Sequence, residues 1–150
     1  MRPIELKIKG INSYREEQVI NFSQLTSQGF FGIFGPTGSG KSTILDAITL
    51  ALYAKLPRGS KNFININESS ASVSFRFSIT TTETKEYLVE RSFRYPGKDR
   101  TSTARNTTAR LSLLSETDID VLADKPTDVT RSCTDLLGLS SDDFLRTVVL

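Results

Sequence analysis

The stretch GFFGIFGPTGSGKSTILDAITLALYA, residues 29–54, decides the fold. Gly29 to Phe34 is a compact apolar run without alternation, which predicts a strand buried on both faces. Ser42 to Ala54 places apolar residues at helical spacing, which predicts a helix. Between them, GPTGSGKS fits the phosphate-loop pattern G-x-x-x-x-G-K-[ST]. The predicted order is therefore strand, glycine-rich loop, helix.

The residue types of this loop suit the binding of phosphate groups. Gly35, Gly38 and Gly40 allow positive φ angles and close approach, so backbone N–H groups can point inward at an anion. Lys41 adds a positive charge for the β and γ phosphates, and the Ser42 hydroxyl can coordinate Mg²⁺. The sequence therefore predicts a nucleotide site with ATP and Mg²⁺ as cofactors, Lys41 as the candidate catalytic residue and Ser42 as the metal ligand.

Other motifs that nucleotide hydrolysis requires are not evident in the sequence. The chain has no N-K-x-D tetrapeptide for reading guanine, which excludes a signalling GTPase. It also has no convincing second acidic motif to hold Mg²⁺ and orient water. Tyr87-Leu-Val-Glu90 comes nearest, but Glu90 follows a strand alternation. Either the chemistry is incomplete or the remaining residues lie on another chain.

Outward from the loop, the pattern predicts short strands and two further helices. Alternating residues predict an antiparallel meander of three strands, and Gly138 is expected to end a helix. The remaining expectations concern the following ranges: strands at 4–9 and 18–22, a long loop after Pro57, the meander strands at 73–79, 87–95 and 107–113, helices around 129–137 and after Ser140, and a strand beginning at 146–150.

Composition limits the other chemistries. The chain has 150 residues, 37% of them hydrophobic and 24% charged, which fits one globular domain. It has no histidine and one cysteine, Cys133, so it cannot supply a His-dependent nucleophile or a Cys-based zinc site. No apolar run reaches the roughly 18 residues of a membrane span, and the N-terminus lacks the layout of a signal peptide. We expect a cytoplasmic protein with no membrane partner.

Charge is distributed unevenly although the net charge is only +2. Residues 83–110 carry seven basic side chains against four acidic ones, and an acidic stretch follows at 116–143. A solvated hairpin accounts for this pattern, and so does a surface that binds DNA phosphates. The candidate DNA-binding residues are Arg91, Arg94, Lys98, Arg100 and Arg105.

Three segments together resemble a known family. These are IELKIKGINSYREEQVINF at the start, GIFGPTGSGKSTILDAITLALYAKLPRGSKNFIN in the middle and LLGLSSDDFLRTVVL at the end. They resemble the N-terminal half of the ATPase head of the SbcC-type exonuclease subunit, in the SMC-like DNA-repair branch of the ABC ATPases. The implied fold is an α/β P-loop NTPase, an ABC-type head lobe with a central strand-loop-helix and an antiparallel β meander.

The resemblance implies that residues 1–150 form the N-terminal lobe of such a head, ending before a metal-contacting glutamine and a long coiled coil. A C-terminal lobe would carry the signature motif, the acidic motif and the catalytic glutamate. The implied partners are that lobe, a second head in an ATP-dependent homodimer, an SbcD-type metallonuclease and DNA. The lobe alone is expected to be inactive.

The resemblance also extends the nucleotide site. It implies contacts from the loop and the first helical turn, and from Asn12 and Ser13, which a strand-end turn explains equally well. Tyr14 lies roughly where transporter-type ABC ATPases place a ring that stacks on adenine, and it fits a core residue as well. Arg58 and Lys61, in the loop after the helix, could reach the base or ribose, although solvated loop charges are the favoured explanation. The predicted nucleotide-binding residues are Asn12, Ser13, Gly35, Pro36, Thr37, Gly38, Ser39, Gly40, Lys41, Ser42, Thr43, Arg58 and Lys61.

Two other functions are compatible with a phosphate loop. The nucleotide-binding subunit of an ABC transporter should continue into a helical subdomain, whereas here a meander intervenes. A structural clamp would close around DNA on binding ATP and use hydrolysis only to reset.

Overall fold

The computed structural model describes residues 1–25, 32–56, 62–97, 100 and 102–148, with the side chain of Val148 left out. It contains both strands and helices, which confirms the predicted mixed α/β class. The elements are β1 Arg2–Lys9, β2 Gln18–Asn21, α1 Lys41–Tyr53, β3 Ser70–Thr80, β4 Thr84–Arg94, β5 Arg105–Leu114, β6 Ile119–Ala123, α2 Pro126–Leu137 and α3 Ser141–Val148.

The described strands form one antiparallel sheet in the order β2-β1-β3-β4-β5-β6. Strands β3 to β6 are a meander in which each strand pairs with the next. The N-terminal strand β1 pairs with β3, so the start of the chain lies beside the meander. Strand β2 forms one edge of the described sheet and β6 the other.

Alternation along β3 decides which face of the sheet is covered. Val73, Phe75 and Phe77 are buried, while Ser72 and Ser74 on the other face are half-buried. Helix α1 packs against β3 and β4, and α2 packs against β5 and β6. The helices therefore cover one face, where the apolar side chains form the core.

The ends of the helices follow from local chemistry. Pro126 occupies the first turn of α2, where its missing N–H costs nothing, and Gly138 ends the helix at φ 65°. Ser140 caps α3, because its Oγ accepts a hydrogen bond from the backbone N–H of Asp143 at 3.2 Å. The predicted stop at Gly138 and the predicted short helix after Ser140 are both confirmed.

Three sequence expectations differ from the structure. Residues 32–34 of the expected buried strand form no strand, and Phe34 is 92% exposed, since none of the described strands pairs with this apolar run. The meander has a fourth strand, β6, which the pattern missed because its side chains are mostly exposed. Residues 146–148 belong to the helix α3, which begins after the Ser140 cap, instead of starting a strand.

Among the described residues, no helix combines the length and the apolar character that a membrane crossing requires.

Candidate functional site

The glycine-rich loop is exposed and turns sharply before helix α1. The Ser39 N–H donates to the carbonyl oxygen of Pro36 at 3.2 Å, which closes a turn. Gly38 and Gly40 have φ angles of +86° and +90°, a backbone region that residues with a Cβ rarely adopt. A Cβ on Gly40 would lie 2.9 Å from the ring of Tyr14. The conformation at residue 40 therefore favours glycine, and a Cβ there would require the Tyr14 ring to shift.

The start of α1 offers an environment suited to an anion. Gly40 caps the helix without a side-chain hydrogen bond, and the described first turn contains no acidic residue. The N–H groups of this turn and the positive end of the helix dipole are thus directed at the loop. These features fit a phosphate group.

Lys41 brings its charge into the same place. Its Nζ donates to the carbonyl oxygens of Gly35 at 2.5 Å and of Pro36 at 2.7 Å. The side chain therefore curls back over the loop and holds an ammonium group at its rim. A bound phosphate would find this charge beside the helix N-terminus.

The next two residues of α1 differ in exposure. Ser42 is exposed, so its hydroxyl is accessible as a Mg²⁺ ligand. Thr43 is buried and its Oγ1 accepts a hydrogen bond from Nδ2 of Asn12 at 3.3 Å. Within the described residues, no three His, Cys, Asp or Glu side chains gather into a metal site. The Ser42 hydroxyl is thus an exposed oxygen ligand in the first turn of α1.

The turn after β1 lies against the start of α1. Asn12 reaches Thr43, and the hydroxyl of Tyr14 donates to the carbonyl oxygen of Gly40 at 3.4 Å. Asn12 and Ser13 are exposed beside the loop, whereas Tyr14 packs beneath it. The structure thus brings the predicted residues Asn12 and Ser13 next to the phosphate loop, and Tyr14 supports the loop backbone. Arg58 and Lys61, also predicted for this site, lie outside the described residues.

Residues 63–65, within the long loop predicted after Pro57, hold this turn. The Asn12 N–H donates to the carbonyl oxygen of Phe63 at 2.7 Å, and Nδ2 of Asn65 donates to the carbonyl oxygen of Asn12 at 2.6 Å. Ile11 and Ile64 form a β-bridge between the same two segments. These are contacts between residues more than 50 positions apart, so no local pattern would have found them.

Arg91, predicted to contact DNA, lies in the core. Its side chain is almost fully buried and donates to the carbonyl oxygens of Ala51 at 2.6 Å and Leu52 at 3.1 Å. Further bonds reach Asn106 Oδ1 at 2.7 Å and Thr130 Oγ1 at 3.0 Å. Burial lowers the pKa of Arg91 to about 10. The DNA-binding expectation for Arg91 is therefore corrected: its donors face the helices. Its place on one face with Val89 and Phe93 was the sequence signal for burial.

The other candidate DNA-binding residues fall into three groups. Arg94 and Arg105 are exposed and are direct cross-strand partners on β4 and β5. Arg100 is half-buried and donates to three backbone carbonyl oxygens. Lys98 lies outside the described residues. The surface pair Arg94 and Arg105 is therefore the part of the candidate set that the structure leaves facing solvent.

The chain is similar to one protein-family model and to several known proteins. The family described as AAA domain matches residues 5–144. The SbcC subunit of the nuclease SbcCD from Clostridium acetobutylicum is 51% identical over 100% of this chain, and that from Bacillus subtilis is 49% identical over 100%. The chain spans 13% of the length of each of these two relatives.

Two further similarities are more distant. A probable DNA double-strand break repair Rad50 ATPase of Aquifex aeolicus is 41% identical over 63% of this chain and 10% of its own length. The solved SMC head domain of Thermotoga maritima has a TM-score of 0.50 and 27% identity, covering 88% of this chain and 42% of that structure. The similarity to an SMC head agrees with the arrangement of sheet, loop and helix described above.

Proposed function

The chain belongs to the AAA domain family, and from this premise we propose that it is the ATP- and Mg²⁺-binding N-terminal lobe of an ATPase head in a DNA double-strand-break-repair nuclease complex. The two SbcC sequences that match it along its whole length support this assignment. The proposal places the lobe in a cytoplasmic protein that hydrolyses ATP with a C-terminal lobe and a second head.

The observation that carries the proposal is the junction of two separate segments at the start of α1. The loop with Lys41 arrives from one side, and the turn with Asn12 arrives from β1 and reaches Thr43 at 3.3 Å. The turn also supports the loop backbone, since the Tyr14 hydroxyl donates to the carbonyl oxygen of Gly40 at 3.4 Å. The junction sets polar groups of two segments beside the helix N-terminus, where a triphosphate would bind.

Each residue of this site has a role that follows from its chemistry. Lys41 supplies the charge that faces the β and γ phosphates, and the loop N–H groups orient them. The Ser42 hydroxyl would hold Mg²⁺, which when bound neutralises phosphate charge. Asn12 and Ser13 would contact the nucleotide from the other side. These residues bind and orient ATP, while activation of water requires residues of other parts of the head.

Support for a C-terminal lobe comes from the residues just before the loop. Phe34 is 92% exposed and Ile33 is 39% exposed in an apolar run typical of a strand buried on both faces. We infer that strands of the C-terminal lobe pair with this run and cover both side chains. An SbcD-type metallonuclease and a second head complete the proposed assembly.

The proposed DNA surface is centred on Arg94 and Arg105. Like charges directly opposite each other on neighbouring strands destabilise a sheet unless an anion lies between them. Both side chains are exposed, and a DNA phosphate would supply that anion. The contact would not read base sequence.

Isothermal titration with ATP and Mg²⁺ tests the nucleotide site in the protein that combines both lobes. Lys41→Ala should abolish most of the affinity, whereas Ser42→Ala should weaken only the Mg²⁺-dependent part. Unchanged affinity in Lys41→Ala would overturn the assignment. An equal loss for Ser42→Ala with and without Mg²⁺ would show that Ser42 serves only the fold.

DNA binding is tested by charge reversal. Arg94→Glu combined with Arg105→Glu should flatten the dependence of log K on log salt by about 0.9 per lost phosphate contact. Arg131→Glu is a single-reversal control on α2, where the arginine side chain is 74% exposed and paired with Asp128 at 2.9 Å. If the double variant keeps the wild-type slope, the arginine pair is a solvated face and not a DNA surface.

A further inference from the structure

Asn12 has a left-handed backbone conformation beside the nucleotide site. Its φ is +48°, in a region that asparagine adopts more readily than other residues that carry a Cβ. The surrounding contacts select this conformation among those open to asparagine. Residues that fix this backbone conformation also position the Asn12 side chain, which reaches Thr43 at 3.3 Å.

The segment 63–65 holds the Asn12 backbone on both sides. The carbonyl oxygen of Phe63 accepts from the Asn12 N–H at 2.7 Å, and the Asn65 side chain donates to the Asn12 carbonyl oxygen at 2.6 Å. The Asn65 N–H also donates to the carbonyl oxygen of Gly10 at 2.8 Å. Any movement of residues 63–65 would thus move the Asn12 backbone with them.

Arg100 in turn fixes this segment. Its guanidinium donates to the carbonyl oxygens of Ile64 at 3.2 Å, Asn65 at 2.9 Å and Glu68 at 2.6 Å. The same group lies 5.4 Å from the centre of the Tyr95 ring, a cation–π contact that holds its plane. A planar fork with several donors can bind three carbonyl oxygens at once, which the single ammonium of lysine cannot do with the same geometry.

From these contacts we propose that Arg100 is a positioning residue of the nucleotide site. It acts through residues 64–68 and Asn65 on Asn12, and it is not a DNA phosphate contact, because its donors face backbone carbonyl oxygens. The inference rests on the proposed ATP site. It assigns a positioning role to a residue that lies in the connection between β4 and β5, away from the phosphate loop in sequence.

The test compares Arg100→Lys with wild type in the full-length protein, by titration with fluorescent ATP and Mg²⁺. The variant keeps the charge but loses the fork, so we expect roughly a fivefold increase in the ATP dissociation constant, as for the loss of a net hydrogen bond. DNA affinity and its salt dependence should stay unchanged. Arg131→Lys, an exposed arginine outside the site, is the control and should bind ATP like wild type.

A double-mutant cycle separates positioning from general destabilisation. Arg100→Lys and Asn12→Ala should be non-additive in ATP affinity, because both act through the Asn12 side chain. Arg100→Lys and Ser42→Ala should be additive. If Arg100→Lys unfolds the protein, Asn65→Ala takes its place in the same cycle, since it removes the bond to the Asn12 carbonyl oxygen and keeps Arg100.

The possible failures are distinguishable. If wild type binds no ATP, or binds it equally well after Lys41→Ala, the proposed function itself fails. If Lys41 is required but Arg100→Lys leaves ATP affinity unchanged, only the positioning role is overturned. A loss of DNA affinity without a loss of ATP affinity would show that Arg100 contacts DNA and does not position the nucleotide site.

Discussion

Arg91 donates a hydrogen bond from its Nε to the backbone oxygen of Ala51 at 2.6 Å, linking the centre of β4 to the last turn of α1. The guanidinium lies at the C-terminal end of the helix, where the dipole favours a positive charge. The opposite end of the same helix begins at the phosphate loop. One buried side chain therefore fixes the helix whose N-terminus forms the candidate nucleotide site.

Replacement of Arg91 tests this link. Arg91→Met should lower the free energy of unfolding by about 2–4 kcal/mol, because it leaves the buried carbonyl oxygens of Ala51 and Leu52 without their donor. Arg110→Met on β5 is the control, since that side chain is exposed and should change stability by about 0.5 kcal/mol or less. Urea unfolding followed by circular dichroism measures both. A wild-type midpoint for Arg91→Met would mean that apolar packing compensates for the lost bonds.

The two positive-φ glycines of the loop offer a matched pair of substitutions. Gly40→Ala and Gly38→Ala both force a Cβ into the left-handed region, but only at Gly40 does the new atom meet the Tyr14 ring, at 2.9 Å. Backbone strain alone costs about 1–2 kcal/mol. We expect Gly40→Ala to be the more destabilising of the two, and to lose more ATP affinity.

Denaturant unfolding of both variants, alone and combined with Tyr14→Ala, measures how much of the stability loss comes from the clash with the Tyr14 ring. Removal of the ring should recover part of the loss in Gly40→Ala and none in Gly38→Ala. Equal losses in the two single variants would show that the Tyr14 side chain moves aside at no measurable cost.

Local patterns predicted the elements that depend on neighbouring residues. The alternation of Val73, Phe75 and Phe77 predicted β3 and its buried face, and Gly138 predicted the end of α2. The loop motif at 35–42 likewise predicted a glycine-rich turn leading into a helix. In each case the deciding interaction lies within a few residues, so the sequence carries it directly.

Contacts between distant segments account for what could not be predicted. Arg91 was assigned to the surface because of its charge, although its donors meet carbonyl oxygens about 40 residues away. The role of Arg100 depends on carbonyl oxygens more than 30 residues earlier in the chain. Since backbone carbonyls carry no sequence signature, such partners become visible only when the sheet has been assembled.

Alkaline pH should destabilise the fold through Cys133. Burial raises the pKa of the Cys133 thiol to about 11, above its value of about 8.5 in an unfolded chain. Between pH 8.5 and 10 the unfolded state therefore loses a proton that the folded state keeps, so stability falls as pH rises. We expect a loss of about 1.5 kcal/mol over this window.

Cys133→Ala should remove this fall of unfolding free energy with pH, whatever the effect of the substitution on stability at pH 7. The prediction is limited to pH values below 10, because above that pH the titration of two other groups also changes stability, in opposite directions. Burial raises the pKa of Tyr53 to about 12, which lowers stability further, whereas the lowered pKa of Arg91 raises it. Chemical denaturation at a series of pH values measures the slope. An unchanged slope in Cys133→Ala would show that another group titrates.

The chain alone should hydrolyse essentially no ATP. It offers Lys41 and the Ser42 hydroxyl, but the described residues bring no acidic cluster to the loop that could hold Mg²⁺ or orient water. Positioning and electrostatic stabilisation supply nearly all of the catalysis in phosphoryl transfer, so their absence leaves no route to a measurable rate. Adding the proposed C-terminal lobe should restore turnover and cover Phe34. Phosphate release from the purified chain is the assay, with Lys41→Ala as the contamination control. Robust release that Lys41→Ala abolishes would show that a complete active site is already present.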